Sequence, residues 1–293
     1  VTPRLQNLRS IYAMLAAVAM FSLMDTSMKL LSADYPALQV TALRALTSLP
    51  LVCLYLAWRG AFGKVLRVRW PLHLLRGALG IAMITLFAYA LKRLSLAEAY
   101  SIFFIAPALI TALSVFILKE KVDTARWGAI GVGLLGVLVV LRPSGQHFFS
   151  LGGLAVLAAA ACYAVSAITG RLLSATDTSE SIMFWLMLLM AAGGTALAAP
   201  HWMAIRGQDW PLLAGLAISG FLGQLAITEA FRLGKASSVA PFEYSALAWG
   251  VLLDWLLWQT LPDRYTMLGA VIIVASGIYL VRREAVHLEA EHP

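Results

Sequence analysis

The sequence predicts an all-α integral membrane protein of ten transmembrane helices, built as two five-helix repeats of inverted topology. Three observations carry that expectation. Of 293 residues, 61% are hydrophobic and only 13% charged, with a mean hydropathy of +0.82; soluble domains carry about 25% charged residues. The apolar residues fall into ten runs, each near the length that crosses a ~30 Å hydrocarbon core. The chain also repeats itself. Arg93-Leu94 matches Arg232-Leu233, Gly128 and Gly136 match Gly269 and Gly277, and Lys29-Leu30-Leu31-Ser32 matches Arg171-Leu172-Leu173-Ser174. An odd number of spans per unit turns the second copy upside down, a build common in transporters with a site between the halves.

The runs are 10–31, 37–57, 74–92, 95–118, 127–141, 151–172, 182–199, 211–232, 238–260 and 265–281. Units of 10–141 and 151–281 are expected, joined by a 142–150 linker. The first run is too long for a signal-peptide core and carries Asp25 and Lys29, so it reads as a span. The second holds Arg44, at the same expected depth as Asp25 on the neighbouring helix. A charge pair or gate between them would neutralise two costly charges. The third opens with Arg76, which is expected to snorkel to the interface, and holds Tyr89. The fourth opens with Glu98 at the positive end of the helix dipole. Its Tyr100, Phe104, Pro107, Thr111 and Ser114 follow a 4-3-4-3 spacing and make one stripe.

The fifth and tenth runs are glycine-rich, with Gly128, Gly131, Gly133 and Gly136 and then Gly269 and Gly277, and read as closely packed scaffold. The sixth carries Tyr163. In the eighth, Glu229 lies at i,i+3 from Arg232, a local ion pair. The ninth contains Pro241, Phe242, Glu243, Tyr244, Trp249 and Asp254. As one α-helix it would put Glu243 and Asp254 on a single face about 16 Å apart. Pro107 and Pro241 break corresponding helices of the two halves, and broken helices in matching places point to a substrate site. Rings and hydroxyls beside those breaks suit an amphipathic ligand with an apolar body.

Charge sets the orientation. The expected inner segments carry fourteen basic residues (Arg4, Arg9, Arg59, Lys64, Arg67, Arg69, Lys119, Lys121, Arg126, Arg171, Arg232, Lys235, Arg282 and Arg283). The outer ones carry six: Lys29, Lys92, Arg93, Arg142, Arg206 and Arg264. The positive-inside rule then puts both termini in the cytoplasm. It also accounts for the net charge of +7 without nucleic acid. Trp58, Trp70, Trp127, Trp202, Trp210 and Trp258 sit at span ends as an interfacial belt. Residues 58–73 read as a basic, aromatic surface segment against anionic lipid. Cys53 and Cys162 both lie within spans and give no disulfide framework. His73, His147, His201, His287 and His292 fall in loops, termini or at a span edge. There is no H-E-x-x-H, no C-x-x-C and no Walker A motif, so neither a metal, a cofactor nor a catalytic site is expected. An intramembrane enzyme is therefore the weaker alternative.

Ala106-Pro107, Lys119-Glu120, Gly128 with Gly136, and the run Ala240-Pro241-Phe242-Glu243-Tyr244 with Gly269 and Gly277 resemble the EamA domain of the drug/metabolite transporter superfamily. The likeness covers nearly the whole chain. It departs where the family's glutamate after the fourth helix, here Glu120, is expected to be matched by Gln259 in the second half. The resemblance implies ten helices in inverted halves, alternating access, a bacterial inner membrane and a chain that functions alone in the bilayer. The nearest likeness is to YddG-type exporters of aromatic amino acids; drugs or nucleoside-like metabolites, and uniport, are the alternatives within this fold. The expected substrate path is Tyr89, Tyr100, Phe104, Pro107, Thr111, Tyr163, Pro241, Glu243, Tyr244 and Trp249, with Asp25, Arg44 and Asp254 as charge pair or gate.

Overall fold

The computed structural model describes residues 3–61, 63, 65, 68–120, 122–141, 150–234 and 239–259, with scattered positions from 264 to 279. The 142–149 stretch of the linker and eight of the seventeen residues of the tenth run, Gly277 included, lie outside the described residues. Every regular element among the described residues is helical. They are α1 (Pro3–Ser32), α2 (Ala37–Trp58), α3 (Trp70–Leu91), α4 (Leu96–Phe103), α5 (Ile105–Ile117), α6 (Thr124–Leu141), α7 (Leu151–Leu173), α8 (Ser179–Ala198), α9 (Trp210–Leu233) and α10 (Ala246–Trp258). Short 3-10 turns lie at Ala199–His201, Gly207–Asp209 and Ala240–Ser245. Seven segments of 22 to 27 residues are long and apolar enough to cross a membrane, and the chain is a multi-pass membrane protein.

The fourth run is broken as its proline requires. Ser95 and Glu98 cap α4 reciprocally. The helix stops at Phe103, and α5 resumes at Ile105. Pro107 has no N–H for the Phe103 carbonyl four residues back, and its ring crowds that same carbonyl. The ninth run is broken at its proline too. Pro241 falls in the 3-10 turn Ala240–Ser245, and α-geometry resumes at Ala246. Glu243 and Asp254 therefore do not share one regular α-helical face. Both broken helices end alike, on a residue in the left-handed region: Lys119 at φ 55° and Gln259 at φ 52°. After α5, the Ser114 carbonyl accepts both the Leu118 N–H at 3.0 Å and the Glu120 N–H at 3.2 Å, which folds the chain back over the helix end.

Packing runs in pairs. α1 lies along α9, α3 along α7 and α2 along α8. α2 also meets α9, α3 meets α8, and α10 meets α4. Close approach comes mostly from glycines outside the expected scaffold helices. A Cβ on Gly77 would stand 2.8 Å from the Leu189 side chain, and one on Gly194 3.3 Å from the Ala42 Cα. In α6, Gly128 and Gly131 meet nothing within 4 Å, whereas Gly133 admits the Tyr244 ring. Part of the 58–73 segment is not surface at all. Ala61 and Val65 are buried in the core, and the Trp185 indole donates to the Val65 carbonyl at 2.7 Å.

Candidate functional site

Between the two broken helices lies a cavity with about 1090 Å³ of empty space, its open mouth included. Phe21, Phe87, Phe103, Phe104 and Phe231 give it aromatic walls, and Met14, Met24, Met83 and Met190 add flexible thioethers. Four ionisable side chains face it from different elements: Asp25 of α1, Arg44 of α2, Arg76 of α3 and Glu243 of the 3-10 turn. All four are at least nine-tenths buried.

The carboxylates are held in the same manner. The Tyr100 hydroxyl at the head of α4 donates to Asp25 at 2.9 Å. The Tyr163 hydroxyl on α7 donates to Glu243, also at 2.9 Å. Asp25 lies seven residues before the end of α1, so its pair sits toward the side where α1 finishes. Glu243 sits toward the side where α1 begins.

The arginines differ. Asp25 and Arg44 share the cavity at matched depth, but the expected direct ion pair does not form. Tyr100 takes Asp25, while Arg44 Nε points at the Met24 sulfur at 2.9 Å and Nη1 at the Met190 sulfur at 3.8 Å. Arg76 does not snorkel. It is 7% exposed, and its Nε and Nη1 are buried without a hydrogen-bond partner. The reason is where the helix starts. Trp70-Pro71 opens α3 with proline in its first turn, a favoured first-turn position. That places Arg76 six residues into the helix, roughly 9 Å from its end. Gly170 on α7 makes room for it, since a Cβ there would lie 3.3 Å from the guanidinium carbon.

Of the other expected path residues, Tyr100, Phe104 and Tyr163 line the cavity and several do not. Tyr89 faces a separate groove beside Leu151 and His201, under the Arg93 guanidinium at 3.9 Å. Pro107, Thr111 and Ser114 lie on the buried face of the broken helix, behind the cavity wall. Tyr244 stands edge-on to Phe104 at 5.3 Å, and Trp249 packs into the smaller core cluster. The side chain of Pro241 lies outside what the structure describes. Asp254 closes one end of the bundle instead. It meets Lys29 at 3.8 Å and accepts the Ala97 N–H at 3.2 Å, while Lys29 sits 4.7 Å from the Trp258 ring centre.

The opposite end holds a contact that sequence inspection missed. His73 Nε2 lies 2.7 Å from Asp177 Oδ2, and the Arg69 N–H donates to the same carboxylate at 3.3 Å. Burial pushes the Asp177 carboxyl up, but hydrogen bonds from His73, Thr176 and the Arg69 backbone outweigh it and hold it below the usual carboxylate range. Glu229 and Arg232 form the expected local pair at 2.6 Å. Among the described residues no group of three or more His, Cys, Asp or Glu is placed to hold a metal.

The model of the EamA-like transporter family matches residues 8–142 and again 150–283. A riboflavin transporter of Vibrio cholerae is 29% identical over 92% of this chain and 92% of its own length. The pseudopaline exporter of Pseudomonas aeruginosa is 28% identical over 89% and 92%. An S-adenosylmethionine uptake transporter of Rickettsia felis is 27% identical over 75% and 74%. A solved crystal structure with 22% identity superposes with a TM-score of 0.76, covering 95% of this chain and 99% of that one, a likeness of fold alone.

Proposed function

Since the chain belongs to the EamA-like transporter family and is a membrane transporter, we propose that it moves a small amphipathic metabolite by alternating access around the central cavity. The cargo has an aromatic body and charged groups of both signs, and an aromatic or hydrophobic amino acid is the smallest molecule that uses the whole site. One observation carries this: a single chain surrounds a space walled by five phenylalanines and faced by two carboxylates and two guanidinium groups. Rings supply apolar area with defined edge and face contacts, while buried charges are retained where they meet a ligand or each other. That one chain holds the whole cavity supports function as a monomer.

Two five-helix units of inverted topology, 10–141 and 151–281, underlie the mechanism. In support, exchanging each helix of the first unit for its counterpart in the second leaves the packing pairs unchanged. The first span on the eighth becomes the sixth on the third, and the second on the seventh maps onto itself. The left-handed residues ending the two broken helices add to this. The fourteen-to-six distribution of basic residues supports cytoplasmic termini in a bacterial inner membrane.

The test is efflux of labelled phenylalanine from proteoliposomes, with alanine, a nucleoside and riboflavin beside it. Phenylalanine is expected to outrun alanine and the nucleoside. A larger flat ring system is the second reading, favoured by relatives named for riboflavin and S-adenosylmethionine. Transport of riboflavin with phenylalanine at the protein-free rate would select it and remove the amino-acid assignment.

A further inference from the structure

The four charges of the cavity are not equivalent. Asp25 and Glu243 each accept a tyrosine hydroxyl, and Arg44 has two sulfur acceptors. Arg76 alone of the four has no hydrogen-bond partner, although it is more than nine-tenths buried and lines the cavity. A buried guanidinium left without an acceptor is among the most costly arrangements a membrane interior can hold. Nearby acids do not relieve it. Asp177 is engaged by His73, one turn before Arg76 on α3, and Glu243 is engaged by Tyr163. The setting is built for the group, because Gly170 leaves the α7 backbone bare where the guanidinium lies. Phe87 and Phe103, at 5.5 Å from each other, stand in the same cavity, with Tyr163 5.4 Å beyond Phe103.

Resting on the transporter reading, we infer that Arg76 is the anchor for an oxyanion on the cargo, a carboxylate or a phosphate, whose ring lies against Phe87 and Phe103. The planar fork of an arginine matches the two oxygens of such a group. The bound anion supplies the acceptors that the protein withholds, so the orphaned charge is satisfied only when the site is occupied. The stability forgone in the empty state becomes selectivity for anionic cargo. Glu243 with Tyr163 lies close by to meet a cationic group, which makes a zwitterion with a ring the best fit.

The experiment uses the purified full chain and two probe pairs that share a ring and differ in the oxyanion: phenylalanine with phenylalaninamide, and flavin mononucleotide with riboflavin. Titration calorimetry in detergent gives the affinities, thermal unfolding gives stability, and flux into proteoliposomes is measured for all four. The wild type is expected to prefer the anionic member of at least one pair by roughly ten- to a hundredfold, the range of a charge-assisted hydrogen bond. The pair that shows it tells carboxylate from phosphate. Arg76→Met is expected to reduce that preference to less than about threefold while melting at or above the wild-type temperature, since it removes an unpartnered buried charge. A purely structural arginine would lower the melting point instead. Gly170→Ala, which crowds the guanidinium without deleting it, is expected to lower the preference severalfold and stands in if Arg76→Met does not fold.

Equal binding of both members of each pair by the wild type overturns the assignment, as does a preference that survives both variants. Flux of neutral and anionic probes at one rate would leave the transporter reading intact and remove Arg76 as anchor. Oxyanion preference in binding with no flux of any probe would keep the anchor and remove the proposed cargo. If no probe binds, both fall.

Discussion

Glu243→Gln separates the two things a buried carboxylate can do. The amide keeps the volume and an oxygen to accept the Tyr163 hydroxyl, whose 2.9 Å bond ties α7 to the 3-10 turn. Only the charge is lost. A hydrogen bond to a charged acceptor contributes about 1.5–3 kcal/mol and a neutral one about 0.5–1.5, so the weaker bond costs about 1 kcal/mol. Against this, a buried ion carries a desolvation penalty of several kcal/mol, which the amide relieves. Unfolding in detergent should therefore shift little, or toward greater stability. Transport should fall by roughly ten- to a hundredfold, the value of one charge-assisted contact to a cationic group on the cargo. Glu98→Gln is the control with the opposite outcome. Glu98 accepts from the Ser95 N–H at 2.8 Å and hydroxyl at 3.0 Å and does not line the cavity. Its replacement should cost about 0.5–1 kcal/mol of helix capping and leave flux unchanged. The assay is efflux of labelled phenylalanine beside detergent unfolding for each variant. Wild-type flux in Glu243→Gln, or a stability loss that accounts for the slower flux, would refute a role for this charge in transport.

Other perturbations test the surrounding geometry. A double-mutant cycle on Asp25→Asn and Tyr100→Phe, read by thermal unfolding, should give a coupling of about 1–3 kcal/mol, while Asp25 with Arg44→Met should couple by less than about 1 kcal/mol. The reverse order would mean that the two charges are in direct contact. Single cysteines in a background lacking Cys53 and Cys162 test orientation: position 201 should react with an impermeant maleimide on intact cells and position 63 should not. Asp177 is held below the usual carboxylate range, so its contribution to stability is full above its unfolded pKa and is lost as pH falls through the lower folded value. Wild type should lose stability below about pH 4 more steeply than Asp177→Asn; parallel curves would show that the carboxylate contributes nothing there.

The membrane class and the break in the fourth span were legible in the sequence because each follows from local chemistry. Apolar length, a capping box and a proline act over one or two turns. The side-chain partners were not legible, because they depend on which helices meet. Equal depth on adjacent helices suggested that Asp25 would pair with Arg44, yet Tyr100 arrives from α4, 75 residues away, and two methionine sulfurs arrive around the guanidinium. Depth alone is blind to azimuth. Arg76 was misjudged because the third span was begun at residue 74; the Trp70-Pro71 pair was the available signal for the earlier start. The His73–Asp177 contact joins α3 to the turn before α8, and no local pattern encodes it. Glu243 faces the cavity partly because Pro241 opens a 3-10 turn, which advances about 2 Å per residue and changes the side-chain angle relative to an α-helix.

The two tyrosine–carboxylate bonds acquire a common meaning when the helices are taken by their place in each half. Asp25 lies on the first span and Tyr100 on the broken fourth; Tyr163 lies on the sixth and Glu243 on the broken ninth. On the two-unit reading proposed above, each bond ties the first helix of a half to its own broken helix, with donor and acceptor exchanged between the halves. A broken helix needs such a tie, because its two pieces no longer share a continuous hydrogen-bond ladder and their mutual angle is free to change. The bonds sit toward opposite ends of the cavity. On the proposed mechanism, opening one end moves one broken helix, strains the bond at that end and leaves the other intact. Tyr100→Phe and Tyr163→Phe should then bias the protein toward opposite-facing states. Cysteines placed near the two cavity mouths would register this as opposite changes in labelling rate. Changes of the same sign in both variants would mean that the bonds stabilise the fold as a whole and do not set which side is open.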